Sequence, residues 1–336
     1  MSVLVFGSAN ADLIFPTPTL PAPGETVLGE SWRASPGGKG ANQATAAALA
    51  GALTHFIGAV GTDSLAEVAL SGMVAAGVNL SGLARVGVAT GAAAICVDAR
   101  GANQISVASG ANMAVRATQV ADAELGPDTV LLLQMEVPVE EMAALVARAR
   151  AAGARIILNL APPAPAPEAM LRQIDLLVAN EHEAAWLAVS LGVAPEAAAL
   201  RGALGIDVVV TRGEQGSEAA TAAGTHHQPA FQALAVDTTG AGDCWCGTLA
   251  AALDAGEDLP TAMRRASAAA AIAVGREGRP LRCPRPPRPR RCWLPPDASA
   301  VANTAYSRQD FDLKNIIARR RGPGHNLARE APHETP

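Results

Sequence analysis

Aromatic residues are scarce in this chain of 336 residues: Phe, Trp and Tyr together make up 3% of it, with a single Tyr. Hydrophobic residues nevertheless reach 49%, so a core can be built from Ala, Val, Leu and Ile rather than from large rings. This balance excludes a fully disordered chain and a coiled coil. The length is large for one compact domain but does not clearly require two.

Cysteine is too sparse and too irregularly spaced for a disulfide framework, with five residues in the whole chain. We therefore expect a reducing, cytoplasmic location. The first apolar run begins at Ser2 with no basic segment before it, so no secretory signal is expected. The apolar stretch at 266–274 is too short to span a bilayer, and we expect no membrane association.

Lysine occurs only at Lys39 and Lys314, and charge is distributed unevenly along the chain. Residues 279–336 carry 12 basic and 5 acidic residues, a net charge of +7, whereas residues 1–278 carry −12. The same C-terminal stretch holds 10 of the 24 prolines. Pro and Arg at this density predict a disordered tail at 279–336 after a globular part at 1–278. The acidic globular part argues against specific nucleic-acid binding, which needs a basic face.

From residue 129 onward, short apolar runs alternate with helical patterns. Strands are predicted at 130–135, 155–160, 175–178 and 207–211, with helical segments at 139–152, 181–191, 242–255 and 261–273. This alternation predicts an α/β fold with a doubly wound, mostly parallel sheet and helices on both faces. Short runs between 83 and 110, broken by Gly, Asp and Asn, predict a separate small antiparallel patch.

The segment DTTGAGD, at 237–243, precedes a predicted helix. Its glycines allow a tight turn that aims backbone N–H groups outward at a helix N-terminus, where an anion such as a transferring phosphoryl group is favoured. Asp243 stands at the same point and can accept a proton from an attacking hydroxyl. The alternative is that Asp243 only caps the helix, which Asp does well.

A second glycine loop, PGGKGANQA at 36–44, also leads into a predicted helix. It lacks the spacing of a Walker A loop. Lys39 lies in this loop, and either a ligand contact or a solvated side chain would account for it. Asn10 and Asp12 follow the first strand, where an open α/β sheet has its crevice. They suit hydrogen bonds to sugar hydroxyls, although both are also ordinary turn residues.

Three further strands are followed by polar residues. Glu136 follows the strand at 130–135 and can reach the crevice. Asn180 and Glu183 can hold waters around Mg²⁺, or they can form a capping box at the start of a helix. The segment TRGEQG, at 211–216, offers backbone and hydroxyl donors for phosphates.

Together and in this order, the motifs resemble those of the ribokinase-like (PfkB) carbohydrate kinases, and most closely those of the members that phosphorylate ribose. The resemblance covers about residues 2–278. The segments that carry it are GSANADL (7–13), PGGKGANQA (36–44), QMEVP (134–138), NEHE (180–183), TRGEQG (211–216), DTTGAGD (237–243) and RRASAAAAIAV (264–274).

This resemblance implies transfer of the γ-phosphoryl group of ATP to a primary hydroxyl of a small sugar, with D-ribose as the expected acceptor and ribose 5-phosphate as the product. It implies that Asp243 is the general base. The implied anion hole consists of Gly240, Ala241 and Gly242. The implied sugar site consists of Asn10, Asp12, Gly38, Lys39, Asn42 and Glu136, with Asp243 at its reacting end. The implied nucleotide site consists of Asn180, Thr211, Gly213, Gly216, Gly242 and, near the adenine, Ser267.

Two cations and a partner subunit are also implied by the resemblance. Mg²⁺ would be held through water by Asn180 and Glu183. K⁺ would lie beside the anion hole, with ligands from Asp237, Thr239, Val274 and Glu277. The segments 12–35 and 88–110 would form a small β-sheet lid that pairs two subunits into a homodimer.

The resemblance stops at Gly278, where the sequence continues as RPLRCPRPPRPRRCW. We hypothesise a reading-frame change near codon 279, which translation of the other frames would test. An impaired sugar- or nucleotide-binding pseudokinase is therefore an alternative, as is a kinase for another sugar or a nucleoside. Nucleic-acid binding by the Arg-rich tail is a further alternative. A dinucleotide-dependent dehydrogenase is disfavoured because the first strand lacks G-x-G-x-x-G.

Overall fold

A computed structural model describes residues 1–275; the tail at 279–336 and Glu277 lie outside this range. The strands are β1 (Ser2–Phe6), β2 (Asn10–Pro16), β3 (Arg33–Gly37), β4 (Thr54–Val60), β5 (Asn79–Arg85), β6 (Gly91–Val97), β7 (Asn103–Ala108), β8 (Thr129–Gln134), β9 (Arg155–Asn159), β10 (Leu176–Asn180), β11 (Asp207–Thr211), β12 (Ser217–Thr221) and β13 (Gly224–Gln228). The helices are α1 (Lys39–Leu49), α2 (Leu65–Ala76), α3 (Val139–Ala152), α4 (Glu168–Leu171), α5 (Glu181–Leu191), α6 (Ala197–Leu204), α7 (Ala241–Asp254) and α8 (Leu259–Val274).

The large sheet has nine strands in the order β13-β12-β11-β10-β9-β8-β1-β4-β5. Its strands pair in parallel except at one edge, where β12 and β13 form an antiparallel hairpin against β11. The predicted mostly parallel α/β fold is therefore confirmed. Because the central strands run the same way, their carboxyl ends meet along one edge of the sheet, and polar residues that follow them are brought together there.

Helices cover both faces of the large sheet, and the side chains of each strand alternate between the two layers. In β8, Leu131 and Leu133 face the layer that contains α3 to α6, whereas Val130 and Leu132 face the layer of α1, α2, α7 and α8. Near-continuous apolar strands such as this one are what burial on both faces requires. None of the helices in residues 1–275 combines the length and apolar character that a bilayer crossing requires.

A separate sheet of four strands has the order β3-β2-β6-β7. Its outer pairs are antiparallel, but β2 and β6 pair in parallel, so the sheet is mixed rather than antiparallel as predicted. Residues 83–85 do not belong to it, because β5 pairs in parallel with β4 at the edge of the large sheet. A short apolar run does not encode its pairing partner, which explains the difference. The strands β2 and β3 pack on α2.

Candidate active site

Two close backbone approaches bring the start of α1 against the segment that follows β1. Gly38 precedes the helix with φ of 86°, and a Cβ there would lie 2.8 Å from the backbone nitrogen of Asn10. A Cβ at Gly40 would lie 2.6 Å from the nitrogen of Ser8. Only glycine fits at either position, because a side chain would collide with that backbone, and Gly38 also has a left-handed φ. The glycine loop thus places Lys39 and Asn42 beside the residues after β1.

Glu136 follows β8 and joins these two segments. Its Oε2 accepts a hydrogen bond from the backbone N–H of Lys39 at 2.9 Å and another from the hydroxyl of Ser8. The hydroxyl of Ser8 in turn accepts from the N–H of Gly40 at 3.3 Å. A half-buried carboxylate is therefore fixed at the carboxyl end of β8, as predicted from its position in the sequence.

Lys39 supplies the positive charge of the site. Burial lowers the pKa of Lys39, but the carboxylates of Asp243, Glu136 and Glu183 raise it, and the net result lies above the ordinary value of 10.5. Opposite charges close to a buried ammonium favour its charged form. Lys39 therefore remains protonated at neutral pH and faces carboxylates from three different elements.

Asn10 and Asp12 are almost fully buried on β2, with exposed fractions of 3% each. Asn112 donates from Nδ2 to Oδ1 of Asn10 at 2.7 Å and accepts from the N–H of Ala9 at 2.9 Å. A Cβ at Gly37, on the neighbouring β3, would lie 2.2 Å from Oδ1 of Asp12. These polar side chains are therefore held by their surroundings before any ligand binds.

Asp243 lies in the first turn of α7 and is 8% exposed. Its Oδ2 accepts a hydrogen bond from Nδ2 of Asn42 at 2.9 Å, and its Oδ1 accepts from Nε2 of Gln43 at 3.0 Å. Both donors belong to α1. Gly240, rather than Asp243, is the N-cap residue, so the carboxylate does not act as the helix cap that the sequence left open as an alternative.

The N-terminus of α7 presents backbone N–H groups that are not satisfied within the helix. Gly240 adopts a left-handed φ of 76°, and none of the described side chains caps the helix. The N–H of Ala241 donates to the carbonyl of Thr238 at 3.2 Å. The first hydrogen bond with the helical i to i−4 spacing runs from the N–H of Cys244 to the carbonyl of Gly240 at 2.8 Å. The N–H groups of Gly242 and Asp243 lie between these two and are available to an anion.

Asn180 and Glu183 form a complete capping box at the start of α5. The N–H and Nδ2 of Asn180 donate to the two oxygens of Glu183 at 2.7 and 2.9 Å, and the N–H of Glu183 donates to Oδ1 of Asn180 at 2.9 Å. Burial raises the pKa of Glu183, although this N–H of Asn180 and the charge of Lys39 act against it. Residues 1–275 contain no group of three or more acidic, His or Cys side chains placed to hold a metal ion. Because both oxygens of Glu183 already accept hydrogen bonds from Asn180, these two residues would meet Mg²⁺ through water.

The segment after β11 makes a tight turn toward β12. Gly213 is exposed with φ of 50°, whereas Gly216 has φ of 92°, and a Cβ at Gly216 would lie only 2.1 Å from the carbonyl oxygen of Gln228. The guanidinium of Arg212 pairs with two carboxylates, at 3.7 Å from Nη1 to Oε1 of Glu181 and at 3.6 Å from Nη2 to Oε2 of Glu218. Because β10 and β11 are parallel neighbours, Thr211 and Gly213 lie at the same edge of the sheet as Asn180.

Ser267 is buried on α8, and its hydroxyl accepts a hydrogen bond from the indole N–H of Trp245 at 3.3 Å. The contact links α7 and α8 within the core. The hydroxyl is thus directed at Trp245, and the contact of Ser267 with adenine stays a prediction.

Of the residues predicted around K⁺, Asp237, Thr239 and Val274 are brought close together at the end of α8, and Glu277 lies outside the described residues. The carbonyl of Val274 accepts from the N–H of Val236 at 2.8 Å and of Asp237 at 3.2 Å, and Oδ1 of Asp237 accepts from the N–H of Thr239 at 2.9 Å. With two N–H donors on it, the carbonyl of Val274 does not fit as a cation ligand in this arrangement. Among the described residues, the oxygens of Asp237 and Thr239 remain as candidate ligands of K⁺.

Sequence reasoning assigned no role to Gln43, Gln134 or Ser8. All three lie within the motifs at 7–13, 36–44 and 134–138, and all three are fully buried. An amide in the middle of an Ala-rich helix is the signal that could have indicated Gln43, because a buried amide needs a partner.

Comparison with known proteins decides which family this geometry belongs to. Residues 1–282 match the model of the pfkB family carbohydrate kinases. The chain belongs to this family. It is 35% identical to the ribokinase of Bacillus subtilis over 275 residues, covering 81% of this chain and 92% of that protein. It is 32% identical to the deoxyribokinase of Salmonella typhimurium over 297 residues, covering 83% and 94%.

Among solved structures, that of Arabidopsis thaliana ribokinase with ribose and ATP superimposes with a TM-score of 0.73 at 30% identity, covering 82% of this chain and 93% of that one. This pfkB-family chain is thus a ribokinase-like sugar kinase, a phosphotransferase that uses ATP. Asp243 is held by two amides in the first turn of α7, next to backbone N–H groups that no described side chain caps.

Proposed function

We propose that this pfkB-family kinase transfers the γ-phosphoryl group of ATP to the primary hydroxyl of D-ribose and releases ribose 5-phosphate. The proposal rests on one arrangement: the buried carboxylate of Asp243 lies in the first turn of α7, next to backbone N–H groups that no described side chain caps. Similarity to curated ribokinases at about 35% identity supports ribose as the acceptor.

Asp243 takes the proton of the attacking hydroxyl. Both of its oxygens accept hydrogen bonds from amides that cannot be deprotonated, so the carboxylate is oriented as an acceptor. A positioned base of this kind contributes on the order of 10²- to 10⁴-fold to a rate. Phosphoryl transfer requires little other bond-making by the protein, because most of its catalysis consists of positioning the reactants and stabilising charge.

The N-terminus of α7 stabilises the negative charge on the transferring group. The backbone N–H groups of Gly242 and Asp243 lie in the first turn of α7, at the positive end of the helix macrodipole, where developing negative charge is favoured. Gly240 makes this possible, because its left-handed φ turns the chain into the helix without a side chain in the way.

Sugar recognition is assigned to the buried polar side chains around Lys39. The carboxylates of Asp12 and Glu136 and the amides of Asn10 and Asn42 offer both acceptors and donors, which a polyhydroxylated ring requires. A site of paired buried polar groups discriminates strongly against an analogue that lacks a hydroxyl.

ATP would bind along the edge formed by Asn180, Thr211, Gly213, Gly216 and Gly242, with Ser267 toward the adenine. Mg²⁺, held through water by Asn180 and Glu183, would neutralise charge on the phosphates when bound. We include K⁺ as an activator beside Asp237 and Thr239, and a comparison of rates in K⁺ and Na⁺ tests it.

Homodimerisation through the small sheet is part of the proposal. The edge strand β7 is exposed along its whole length, with Ile105 and Val107 more than half exposed. An uncovered apolar edge strand is an aggregation liability unless another chain covers it. Sedimentation equilibrium distinguishes the expected dimer from a monomer.

Two alternatives have specific support. The departure from the family pattern after Gly278 supports an impaired pseudokinase that binds ribose without turnover. The match to a deoxyribokinase at 32% identity supports another sugar, 2-deoxyribose, as the acceptor. A nucleoside acceptor stays an alternative from the sequence.

The experiment is ADP release by the full chain with ATP, Mg²⁺ and K⁺ across ribose, 2-deoxyribose, other pentoses, fructose and nucleosides. We expect the highest kcat/KM with ribose. A higher value with another acceptor would replace the substrate, and ribose binding by calorimetry without any ADP release would establish the pseudokinase instead.

A further inference from the structure

Two buried amides outside the proposed catalytic and substrate-binding set connect Asp243 to the sheet. Gln43, on α1, donates from Nε2 to Oδ1 of Asp243 at 3.0 Å. Gln134, the last residue of β8, donates from Nε2 to Oε1 of Gln43 at 2.8 Å. Both side chains are fully buried. We call Gln134, Gln43 and the carboxylate of Asp243 the amide chain.

Hydrogen-bond chemistry fixes the direction of this chain. An ionised carboxylate only accepts, so Gln43 must direct its NH₂ group at Asp243 and its oxygen at Gln134. Gln134 must then present its own NH₂ group to that oxygen. Among the described residues, Oε1 of Gln134 is buried with no hydrogen-bond partner. Because the acceptor of Gln134 is unpaired, what this buried amide contributes is the hydrogen bond that its NH₂ group donates to Gln43.

The amide of Gln134 is packed closely against the backbone of Gly7. A Cβ at Gly7 would lie 2.2 Å from Oε1 of Gln134 and 2.8 Å from the Cα of Gly40. The amide of Gln134 therefore occupies the space that a side chain at Gly7 would need. Close packing of this kind leaves few voids into which a buried side chain could turn.

Asp243 is therefore held differently on its two sides. Oδ1 meets the fully buried Gln43, whereas Oδ2 meets Asn42, which is half-buried and belongs to the proposed sugar site. We propose that Gln43, oriented by Gln134, is a positioning residue that anchors Asp243 through Oδ1, and that Oδ2 is the oxygen that receives the proton of the sugar hydroxyl. This inference rests on the proposed kinase function.

Kinetic variants test the positioning role. Gln43→Met keeps the length of the side chain but removes its donor, and we expect kcat to fall about 10- to 100-fold while KM for ribose stays within about 2-fold. Gln134→Met should lower kcat by a smaller factor in the same way. In the double variant, Gln134→Met should cause no further loss, because it acts only through Gln43.

Gln119→Met is the matched control. Gln119 also holds two elements by its amide, which donates to the carbonyls of Gly58 and Gly82 at 2.9 and 3.0 Å, but it lies outside the amide chain. It should leave kcat unchanged. Multiplicative losses from Gln43→Met and Gln134→Met, or a rise in KM that accounts for the loss, would overturn the positioning role.

A second measurement does not depend on turnover. The side-chain NH₂ signal of Gln43 in a ¹H–¹⁵N spectrum, identified by its absence in Gln43→Met, should move in Asp243→Asn, which removes the charged acceptor of its hydrogen bond, and should stay in place in Asp254→Asn. A Gln43 signal that is unchanged in Asp243→Asn would overturn the amide chain even if the kinase is active. If the wild-type protein phosphorylates no acceptor, the proposed function fails, while this spectrum still decides whether Gln43 holds Asp243.

Discussion

The two halves of the proposed active site are built in opposite ways. The proposed sugar half consists of Asn10, Asp12, Lys39, Asn42, Glu136 and Asp243, and its side chains are buried or half-buried. The proposed phosphate half consists of Asn180, Glu183, Thr211, Gly213 and residues 237–242, and apart from Glu183 it is exposed or half-buried. In the sugar half, the carboxylates of Glu136 and Asp243 accept hydrogen bonds from α1, donated by the backbone N–H of Lys39 and by the side-chain amides of Asn42 and its neighbour Gln43. In the phosphate half, backbone groups dominate.

The difference follows from desolvation. Buried polar groups must already have partners, because an unpaired one costs about 1–3 kcal/mol. The sugar half is therefore assembled before substrate arrives, and binding there costs little ordering. Exposed backbone N–H groups can be satisfied by water until a phosphate displaces it. Substitutions in the sugar half should consequently affect the chemical step and sugar affinity. In the phosphate half, Glu183→Gln should instead change the pH dependence of stability.

The largest effect is expected from Asp243→Asn. The variant keeps the size of the side chain but cannot take a proton, so kcat should fall about 10²- to 10⁴-fold. Ribose binding, measured by isothermal titration calorimetry, should change little. Asp254→Asn is the matched control, because Asp254 lies in the same helix, α7, and is equally buried at 8% exposure. It should retain full activity. Equal losses of binding and turnover in Asp243→Asn would instead indicate a structural residue.

An intermediate effect is expected from Lys39→Met. The change leaves the carboxylates of Asp243, Glu136 and Glu183 without their shared cation. Because a hydrogen bond to a charged group contributes about 1.5–3 kcal/mol, KM for ribose should rise roughly 10- to 150-fold, with a smaller change in kcat.

Arg85→Met serves as the control for loss of a cation. Arg85 pairs with Glu67 at 3.0 Å on the surface, and an exposed pair of this kind contributes little. It should leave both constants unchanged. A Lys39→Met variant with wild-type KM for ribose would show that Lys39 does not act on the sugar.

The central parallel strands of the large sheet could be predicted from the sequence, for reasons visible in particular residues. The residues of the proposed site were found through the motifs that follow these strands, and their roles stay predictions. The predicted helix at 139–152 ends where the structure ends it, because Gly153 adopts a left-handed φ of 81°. Strands such as β8 were predicted to within a residue, since a short continuous apolar run bounded by polar residues is typical of a strand buried on both faces.

Other elements carried no usable pattern. The hairpin of β12 and β13 and the helix α6 were not predicted, because β13 is largely exposed and short, and α6 follows Pro and Glu residues without a clear start. Gln43 and Gln134 lie 91 residues apart in the sequence. Their contact depends on the tertiary approach of α1 to β8, which no local pattern encodes.

The smallest effect, and the one that probes the phosphate half, concerns Glu183→Gln and the pH dependence of stability. Burial raises the pKa of Glu183 above its ordinary value of 4.5. The protonated form is therefore favoured in the folded protein, and the stability it contributes is complete below pH 4.5 and is lost as pH rises through the higher folded value. Gln can still accept the N–H of Asn180 in the capping box but has no charge to bury.

The free energy of unfolding of Glu183→Gln, measured by urea denaturation, should thus increase relative to wild type as pH rises from about 4 to about 8. Glu181→Gln, two residues earlier at an exposed position, is the matched control and should show no such trend. A difference in free energy of unfolding between Glu183→Gln and wild type that stays constant across this pH range would mean that Glu183 is ionised at no cost. The phosphate half would then be more hydrated around its capping box than the burial of Glu183 implies. A variant that gains stability at pH 8 while losing kcat would show the opposite: a carboxylate kept buried, against its own preference, for contact with the nucleotide.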